Sequence, residues 1–144
     1  KKELNFTKIN PLDIQSYTDA NYHIYEKPLF VINIGAESSG LNKLYERYGV
    51  SEAAILTAYN PMSQETNDKD NKLNNKQLEL ILKNQKLSYI RAEGICPDNN
   101  WPGEESFLVL GMTLNAAKDL GKKFKQNAIL WSDQSTISQL ILLR

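Results

Sequence analysis

Short apolar segments alternate with segments of helical periodicity along most of this chain, and that order limits its fold more than any other feature. An apolar run at 29–34 predicts a buried strand. Leu41, Leu44 and Tyr48 then recur at helical spacing and predict a helix. A second apolar strand, predicted at 53–59, follows directly. Strand, helix and strand in succession are typical of an α/β protein.

The same patterns predict further elements on both sides of this unit. These are a short strand at 21–26, a helix at about 70–86, strands at 89–96 and 106–110, a helix at 114–124, a strand at 128–131, and an apolar segment of undetermined type at 137–143. Residues 1–20 mix polar and apolar side chains and predict a loosely attached arm with a turn of helix from Leu12 to Tyr17. The 144 residues suit one domain. We therefore expect a single compact α/β domain over 21–144, with a mixed central sheet of about five or six strands and three helices.

The predicted connections place several strand ends together. A strand joined to the next by a helix usually returns parallel to it. The strands that begin near Leu29, Ala53 and Tyr89 are therefore expected to be parallel, with their carboxyl ends at one edge of the sheet. Too few residues separate the strand at 89–96 from that at 106–110 for a parallel crossover. The later strand is thus expected to be antiparallel, with its amino end at the same edge.

Polar side chains collect at this predicted edge, which is where ligands bind in open α/β sheets. They are Ser38, Ser39, Asn60, Ser63, Asn71, Glu93, Trp101, Glu104, Glu105 and Gln126, and the candidate ligand-binding residues among them are Asn60, Ser63, Asn71, Trp101 and Gln126. Asn71 lies two helical turns before Leu78, on the face expected to pack inward. Structural alternatives remain open: Asn60 ends a strand, Asn71 caps a helix, Trp101 covers the core and Gln126 bonds a helix end. The shared edge favours a binding site.

Two adjacent carboxylates are the candidate catalytic residues. Glu104 and Glu105 precede the apolar segment 107–110, so one of them is expected at the rim of the core. Desolvation there raises the pKa of a carboxyl group and suits it to acid–base chemistry. Alternation along a strand directs the two to opposite faces. In the alternative interpretation, one is solvated and the other accepts bonds from backbone amides. For an enzyme, Glu105 is the first candidate acid or base and Glu104 the second, in hydrolysis or group transfer.

Composition excludes several classes of function. Seventeen basic and seventeen acidic residues give a net charge of +0, which argues against nonspecific nucleic-acid binding. One cysteine and one histidine cannot form a disulfide or a Cys/His zinc site, and no metal is predicted. No apolar run has the roughly 20 residues of a membrane helix. Since no signal-peptide pattern is present, we expect a cytoplasmic protein. Because no nucleotide-binding or hydrolase motif occurs, the cofactor is unknown.

Several short motifs occur in an order that resembles one family of small bacterial proteins. They are Thr57-Ala58-Tyr59-Asn60-Pro61, Asn71 ahead of Leu78, Trp101, Glu104-Glu105-Ser106 leading into Phe107-Leu108-Val109, and Gly121 and Phe124 followed by Gln126-Asn127-Ala128-Ile129. From about Tyr22 to Trp131 the chain is similar to the domain of unknown function 3293 family. The resemblance implies no assigned activity and supplies no catalytic residue. The family motifs match Asn60, Asn71, Trp101, Glu105 and Gln126.

The sequence thus predicts a protein that binds a small polar ligand, nucleotide-like in character, with or without a reaction. A noncatalytic regulatory module is one alternative. A protein-interaction domain that uses an exposed edge strand near 137–143 is the other. The oligomeric state is not predicted.

Overall fold

A computed structural model describes residues 7–97 and 103–144. Within these ranges the chain forms seven strands, four α-helices and a short 3-10 turn. In chain order they are α1 (Pro11–Asp19), β1 (Asn21–Ile24), β2 (Phe30–Ile32), α2 (Ser39–Tyr48), β3 (Ala53–Leu56), the 3-10 turn (Pro61–Ser63), α3 (Asp68–Asn84), β4 (Ser88–Ile95), β5 (Glu104–Leu110), α4 (Leu114–Lys123), β6 (Ala128–Ser132) and β7 (Ser138–Leu142).

The sheet has the strand order β2-β1-β4-β5-β3-β6-β7, and each of these neighbouring pairs is antiparallel. The predicted mixed sheet of five or six strands with three helices is therefore wrong in pairing and in both counts. Alternate strands in this order point the same way, so β2, β3 and β4 do share a direction. However, β1 lies between β2 and β4, and β5 lies between β4 and β3. The helical connections return the chain to the same end of the sheet without making those strands neighbours.

The additional elements come from the two ends of the chain. The apolar segment at 137–143 contains strand β7, which pairs with β6. The N-terminal arm contains α1, a full helix where only a turn was expected. Its formation has local causes, because Pro11 occupies the first helical position and the Asn10 side chain accepts a hydrogen bond from Leu12 N at 2.9 Å.

The sheet curls, so that its two edge strands approach each other. Gly35 N, just after β2, donates to Ser138 O of β7 at 2.9 Å. Ser38 and Ser39, which we expected at the site edge, lie instead beside Thr136 in the turn between β6 and β7. The predicted buried strand at 29–34 is an edge strand, with Val31 39% exposed. The prediction of burial is wrong for this strand because an apolar run in a sequence does not reveal which of its side chains face solvent.

Each face of the curled sheet has its own apolar core. Helix α2 packs on the inner face through Leu41, Leu44 and Tyr45. Helices α3 and α4 cover the outer face, where Leu78 and Leu82 of α3 lie buried. The polar residues discussed below lie where β3 and β4 end and β5 and β6 begin, between these two cores.

No helix within 7–97 and 103–144 is long and apolar enough to cross a membrane.

Candidate functional site

A row of residues across three strands forms the floor of a cavity on the inner face. Tyr22 on β1 lies opposite Gly94 on β4, which in turn lies opposite Glu104 on β5. Directly opposed residues project to the same face of a sheet. Because Gly94 has no side chain, space stays open between the Tyr22 ring and the Glu104 carboxyl. A Cβ atom at Gly94 would lie 3.2 Å from Cε1 of Tyr22.

This space, here termed the inner cavity, has two lobes of about 70 and about 60 Å³. The residues that line both lobes are Tyr17, Tyr22, Asn60, Ser63, Gly94 and Glu104. One lobe extends beneath α1 and reaches Cys96. The other extends along the inner face of the sheet towards Gln126 and Leu140. Since an apolar cavity of roughly 150 Å³ accepts benzene, each lobe has room for only a few atoms.

Glu104 brings a carboxyl group into this largely apolar space. Burial raises the pKa of Glu104, and a hydrogen bond from Asn60 opposes that rise. Asn60 Nδ2 donates to Glu104 Oε2 at 2.7 Å. No other described residue donates a hydrogen bond to this carboxylate. Within 7–97 and 103–144, its second oxygen, Oε1, therefore has no hydrogen-bond donor.

Asn60 belongs to a loop held in an unusual backbone conformation. Asn60, Met62 and Ser63 have φ angles of 46°, 60° and 58°, in the left-handed region that non-glycine residues rarely occupy. Hydrogen bonds hold Asn60 in place: its N–H donates to Asn71 Oδ1 at 2.8 Å, and its Oδ1 accepts from Asn71 Nδ2 and Thr66 N, both at 3.0 Å. Such conformations cost about 1–3 kcal/mol each and cluster at functional sites.

Two buried asparagines of α3 support this loop and the start of β5. Asn71 is 4% exposed, as its spacing from Leu78 predicted, and binds Asn60 as described. Asn75, which the sequence interpretation missed, accepts a hydrogen bond from Ala58 N at 2.8 Å and donates to Glu105 O at 2.9 Å. The recurrence of Asn71, Asn75, Leu78 and Leu82 on one helix face was the signal that could have identified it.

Tyr17 of α1 closes the inner cavity, and nothing in the sequence pattern indicated this role. Its hydroxyl group bonds the Ser63 hydroxyl and accepts from Asn127 Nδ2 at 3.2 Å. Its backbone oxygen accepts from the Tyr22 hydroxyl at 2.9 Å. Burial raises the pKa of Tyr17. Since α1 contributes no buried residue of its own, these polar contacts hold it over the cavity.

Glu105 faces the other side of the sheet, as strand alternation predicted for this pair. It lines an open groove of about 440 Å³, here termed the outer groove, together with Tyr59, Asn71 and Glu93. The Tyr59 hydroxyl donates to Glu105 Oε1 at 3.3 Å. Burial, with a further contribution from Glu105, raises the pKa of Tyr59 to about 12. The Glu105 side chain is exposed, unlike that of Glu104.

The structure thus divides the predicted site residues between two spaces. Glu104, Ser63 and Gln126 line the inner cavity, whereas Glu105 and Asn71 line the outer groove. Asn60 and Tyr59 line both spaces. Trp101, predicted to stack on a ligand, lies outside the described residues.

Gln126 makes the contacts expected of a structural residue that bonds a helix end. Its Nε2 donates to Tyr59 O at 3.0 Å and to Phe124 O, at the end of α4, at 3.3 Å. It therefore ties the start of β6 to the segment that follows β3, while its side chain still borders the inner cavity.

No group of three or more His, Cys, Asp or Glu side chains is placed to hold a metal ion in the part of the chain that the structure describes.

Comparison with known protein families matches residues 56–129 to the family described as protein of unknown function (DUF3293). The match covers just over half of the chain and extends from the end of β3 into β6. It includes Asn60, Asn71, Glu104 and Gln126. No curated protein and no solved structure matches the chain.

Proposed function

The chain belongs to the DUF3293 family of proteins of unknown function, and we propose that it binds a small polar molecule in the inner cavity, with Glu104 as the acid or base of a hydrolysis or group-transfer reaction. The observation that carries the proposal is the position of the Glu104 carboxyl. One of its oxygens is held by Asn60 at 2.7 Å, and the other has no hydrogen-bond donor among the described residues. The surrounding cavity is largely apolar.

The environment of Glu104 supports acid–base chemistry. A carboxyl group whose pKa is raised by burial exchanges its proton nearer to neutral pH, where a general acid or base works best. In the proposed reaction, Glu104 accepts a proton from an attacking O–H or N–H group as the new bond forms. It then returns that proton to the atom that leaves as the old bond breaks. Asn60 Nδ2 holds the carboxylate in position during both steps.

We propose Glu104 in this role in place of Glu105, which the sequence favoured. Glu105 is exposed and receives a hydrogen bond from Tyr59 in the outer groove. An exposed carboxylate keeps its contact with water, whereas burial withdraws Glu104 from it. The two adjacent glutamates therefore form a matched pair, in which one substitution tests the cavity and the other serves as the control.

The size of the cavity restricts the class of ligand. Pockets that enclose drug-sized ligands measure about 300–1,000 Å³, whereas the lobes measure about 70 and about 60 Å³. This supports a small molecule, or one end of a larger one, over a whole nucleotide. The balanced net charge supports a small-molecule partner over nucleic acid. We further propose that the protein works in the bacterial cytoplasm, since its use of one cysteine suits a reducing compartment.

A thermal-shift screen of the purified protein tests this proposal. Amino acids, amines, sugars, nucleotides and divalent metals are added to the wild type, to Glu104→Gln and to Glu105→Gln, because a ligand of the folded state raises the melting temperature. We expect a ligand that stabilises the wild type and Glu105→Gln but not Glu104→Gln. A ligand lost only in Glu105→Gln would overturn the cavity assignment and move the site to the outer groove.

The alternative is a noncatalytic binding or regulatory module that uses the same cavity. Consumption of the ligand, followed by NMR over hours, separates the two possibilities. Turnover by the wild type that Glu104→Gln lacks would support an enzyme. Binding without consumption in either protein would contradict the reaction and leave a binding protein. Failure of every compound to stabilise the wild type, with Glu104→Gln equally unaffected, would contradict ligand binding at this cavity.

A further inference from the structure

We propose that the chemical group bound beside Glu104 is a small primary ammonium, so that the ligand is an alkyl amine or a molecule that ends in one. This inference rests on the proposed ligand site in the inner cavity and specifies the class of ligand. It does not depend on whether the ligand reacts.

The first argument is the charge of the lobe beneath α1. Its described lining includes two carboxylates, Asp13 and Glu104, and no Lys, Arg or His. A phosphate or carboxylate ligand would add a third negative charge without a counterion. An ammonium group would instead neutralise a carboxylate that folding has partly removed from water. Because the space is largely apolar, the attraction is stronger there than at an exposed surface.

The second argument is hydrogen bonding. Asn60 occupies Oε2 of Glu104, and no described residue donates to Oε1. A primary ammonium has three N–H donors. One can reach Oε1. The hydroxyl groups of Ser63 and Tyr17, which line the same space, bond each other and both accept from Asn127, so this pair keeps one lone pair that can accept a second N–H. A quaternary ammonium has no N–H group and would leave the Glu104 oxygen without a donor.

The third argument is the aromatic lining. Tyr17 and Tyr22 both line the lobe, and Tyr22 lies in the same cross-strand row as Glu104. Cations are attracted to the faces of aromatic rings, and tyrosine is one of the side chains that bind ammonium groups in this way. A carboxylate together with tyrosine rings is a combination that distinguishes an ammonium from an uncharged group of the same size.

The size of the lobe then limits the length of the ligand inside it. A volume of about 70 Å³ is close to half of the roughly 150 Å³ that accepts benzene, which corresponds to about three or four heavy atoms. This is the size of propylammonium. The absence of a side chain at Gly94 keeps this space open, so Gly94→Ala narrows it.

The test compares three probes of similar size: propylammonium chloride, 1-propanol and sodium propionate, at matched ionic strength. Binding is measured from backbone amide shifts of Asn60, Gly94 and Glu104 by NMR, and from the melting temperature. The proteins are the wild type, Glu104→Gln, Gly94→Ala and the control Glu105→Gln. We expect propylammonium to bind the wild type and Glu105→Gln alike. Glu104→Gln should weaken binding by more than about tenfold, since a charge-assisted bond contributes about 1.5–3 kcal/mol.

Gly94→Ala should also weaken propylammonium binding, and unchanged affinity in this variant would contradict placement of the ligand in the Gly94 gap. If propanol or propionate shifts the cavity amides more strongly than propylammonium, the ammonium assignment is wrong and the proposed binding site stands. If none of the three probes binds but another compound of the thermal-shift screen binds in a Glu104-dependent way, the ammonium assignment is again wrong and the proposed binding site stands. If no compound of either set affects these amides, both the inference and the proposed function are wrong.

Discussion

The side-chain amide of Asn60 lies 2.7 Å from the Glu104 carboxylate, with Nδ2 as donor and Oε2 as acceptor. Asn60 follows β3, and Glu104 begins β5. The same asparagine is bonded through its backbone N–H and its Oδ1 to Asn71 of α3. The position of the partly buried Glu104 carboxyl therefore depends on a loop that a helix on the other face of the sheet holds in place.

Replacement of Asn71 by alanine should destabilise the protein by about 2 kcal/mol. The change leaves Asn60 N–H and one acceptor group without partners in a buried region, and each such loss costs about 1–3 kcal/mol. The free energy of unfolding, measured in urea, provides the test. Asn74→Ala on the same helix controls for the gain in helix propensity. Equal stability of the two variants would contradict a supporting role for Asn71.

Asn60→Ala should be less stable than Asn60→Gly by about 1 kcal/mol. Both changes remove the hydrogen bond to Glu104, so their difference reports the backbone. At a φ of 46°, alanine is strained, whereas glycine adopts this conformation freely. Urea unfolding of the two variants measures the difference. An alanine variant as stable as the glycine variant would show that the loop does not keep its left-handed conformation in solution.

The wild type should lose stability as the pH rises, and Glu104→Gln should remove this loss. The pKa of Glu104 is raised in the folded state, so the folded protein binds this proton more tightly than the unfolded chain. The stability that protonated Glu104 contributes is therefore fully present below the ordinary carboxyl pKa of about 4.3. It disappears as the pH rises through the pKa that Glu104 has in the folded protein. The other ionisable groups facing this lobe are Asp13, Tyr17, Tyr22 and Cys96.

Urea unfolding of the wild type and Glu104→Gln at a series of pH values measures this effect. We expect the variant to gain stability relative to the wild type as the pH rises from about 4 to about 7. Glutamine keeps an acceptor for Asn60, so little else should change. Glu105→Gln, which removes an exposed carboxylate from the same strand, is the control. A constant difference between wild type and Glu104→Gln across this range would argue that Glu104 titrates as a solvated carboxyl.

Tyr17→Phe should loosen α1 and lower the stability by about 1 kcal/mol, the usual value of a hydrogen bond. The hydroxyl of Tyr17 contacts Ser63 and Asn127, and α1 has no buried residue that could replace these contacts. Hydrogen exchange of the α1 amides should become faster, while exchange in β5 should change little. Tyr48→Phe on α2 is the control, because Tyr48 is 40% exposed. Unchanged α1 exchange in Tyr17→Phe would rule out this anchor.

Gly121→Ala should destabilise the protein by about 1–3 kcal/mol through crowding, although alanine favours helices by about 1 kcal/mol over glycine. A Cβ at this position of α4 would lie 2.7 Å from Ile129 Cγ2 and 2.5 Å from Leu143 Cδ1. Leu143 can rotate away, but the branched side chain of Ile129 is fixed in β6. Thermal unfolding, with exposed Asn115→Ala on α4 as control, measures the cost. A melting temperature at or above that of the wild type would contradict this close approach.

Much of the site could be predicted because it depends on local patterns. The break after β3 at Asn60, the inward orientation of Asn71 and the opposite orientations of Glu104 and Glu105 follow from residue type and periodicity. The positions of Tyr17 and Tyr22 could not be predicted, since both come from the N-terminal part of the chain and reach Glu104 only across the sheet. Trp101 stays a prediction outside the described residues.

Apart from α1 and β7, the sequence by itself determined the elements, their order and the shared direction of β2, β3 and β4, because hydrophobic periodicity and helical connections are local properties. Only the tertiary structure decided which strands are neighbours, because hydrogen-bonded pairing joins residues far apart in the chain. The insertion of β1 and β5 between strands of like direction made the sheet antiparallel. The same pairing put Tyr22, Gly94 and Glu104 in one row, and so assigned the enclosed cavity to Glu104 and the open groove to Glu105.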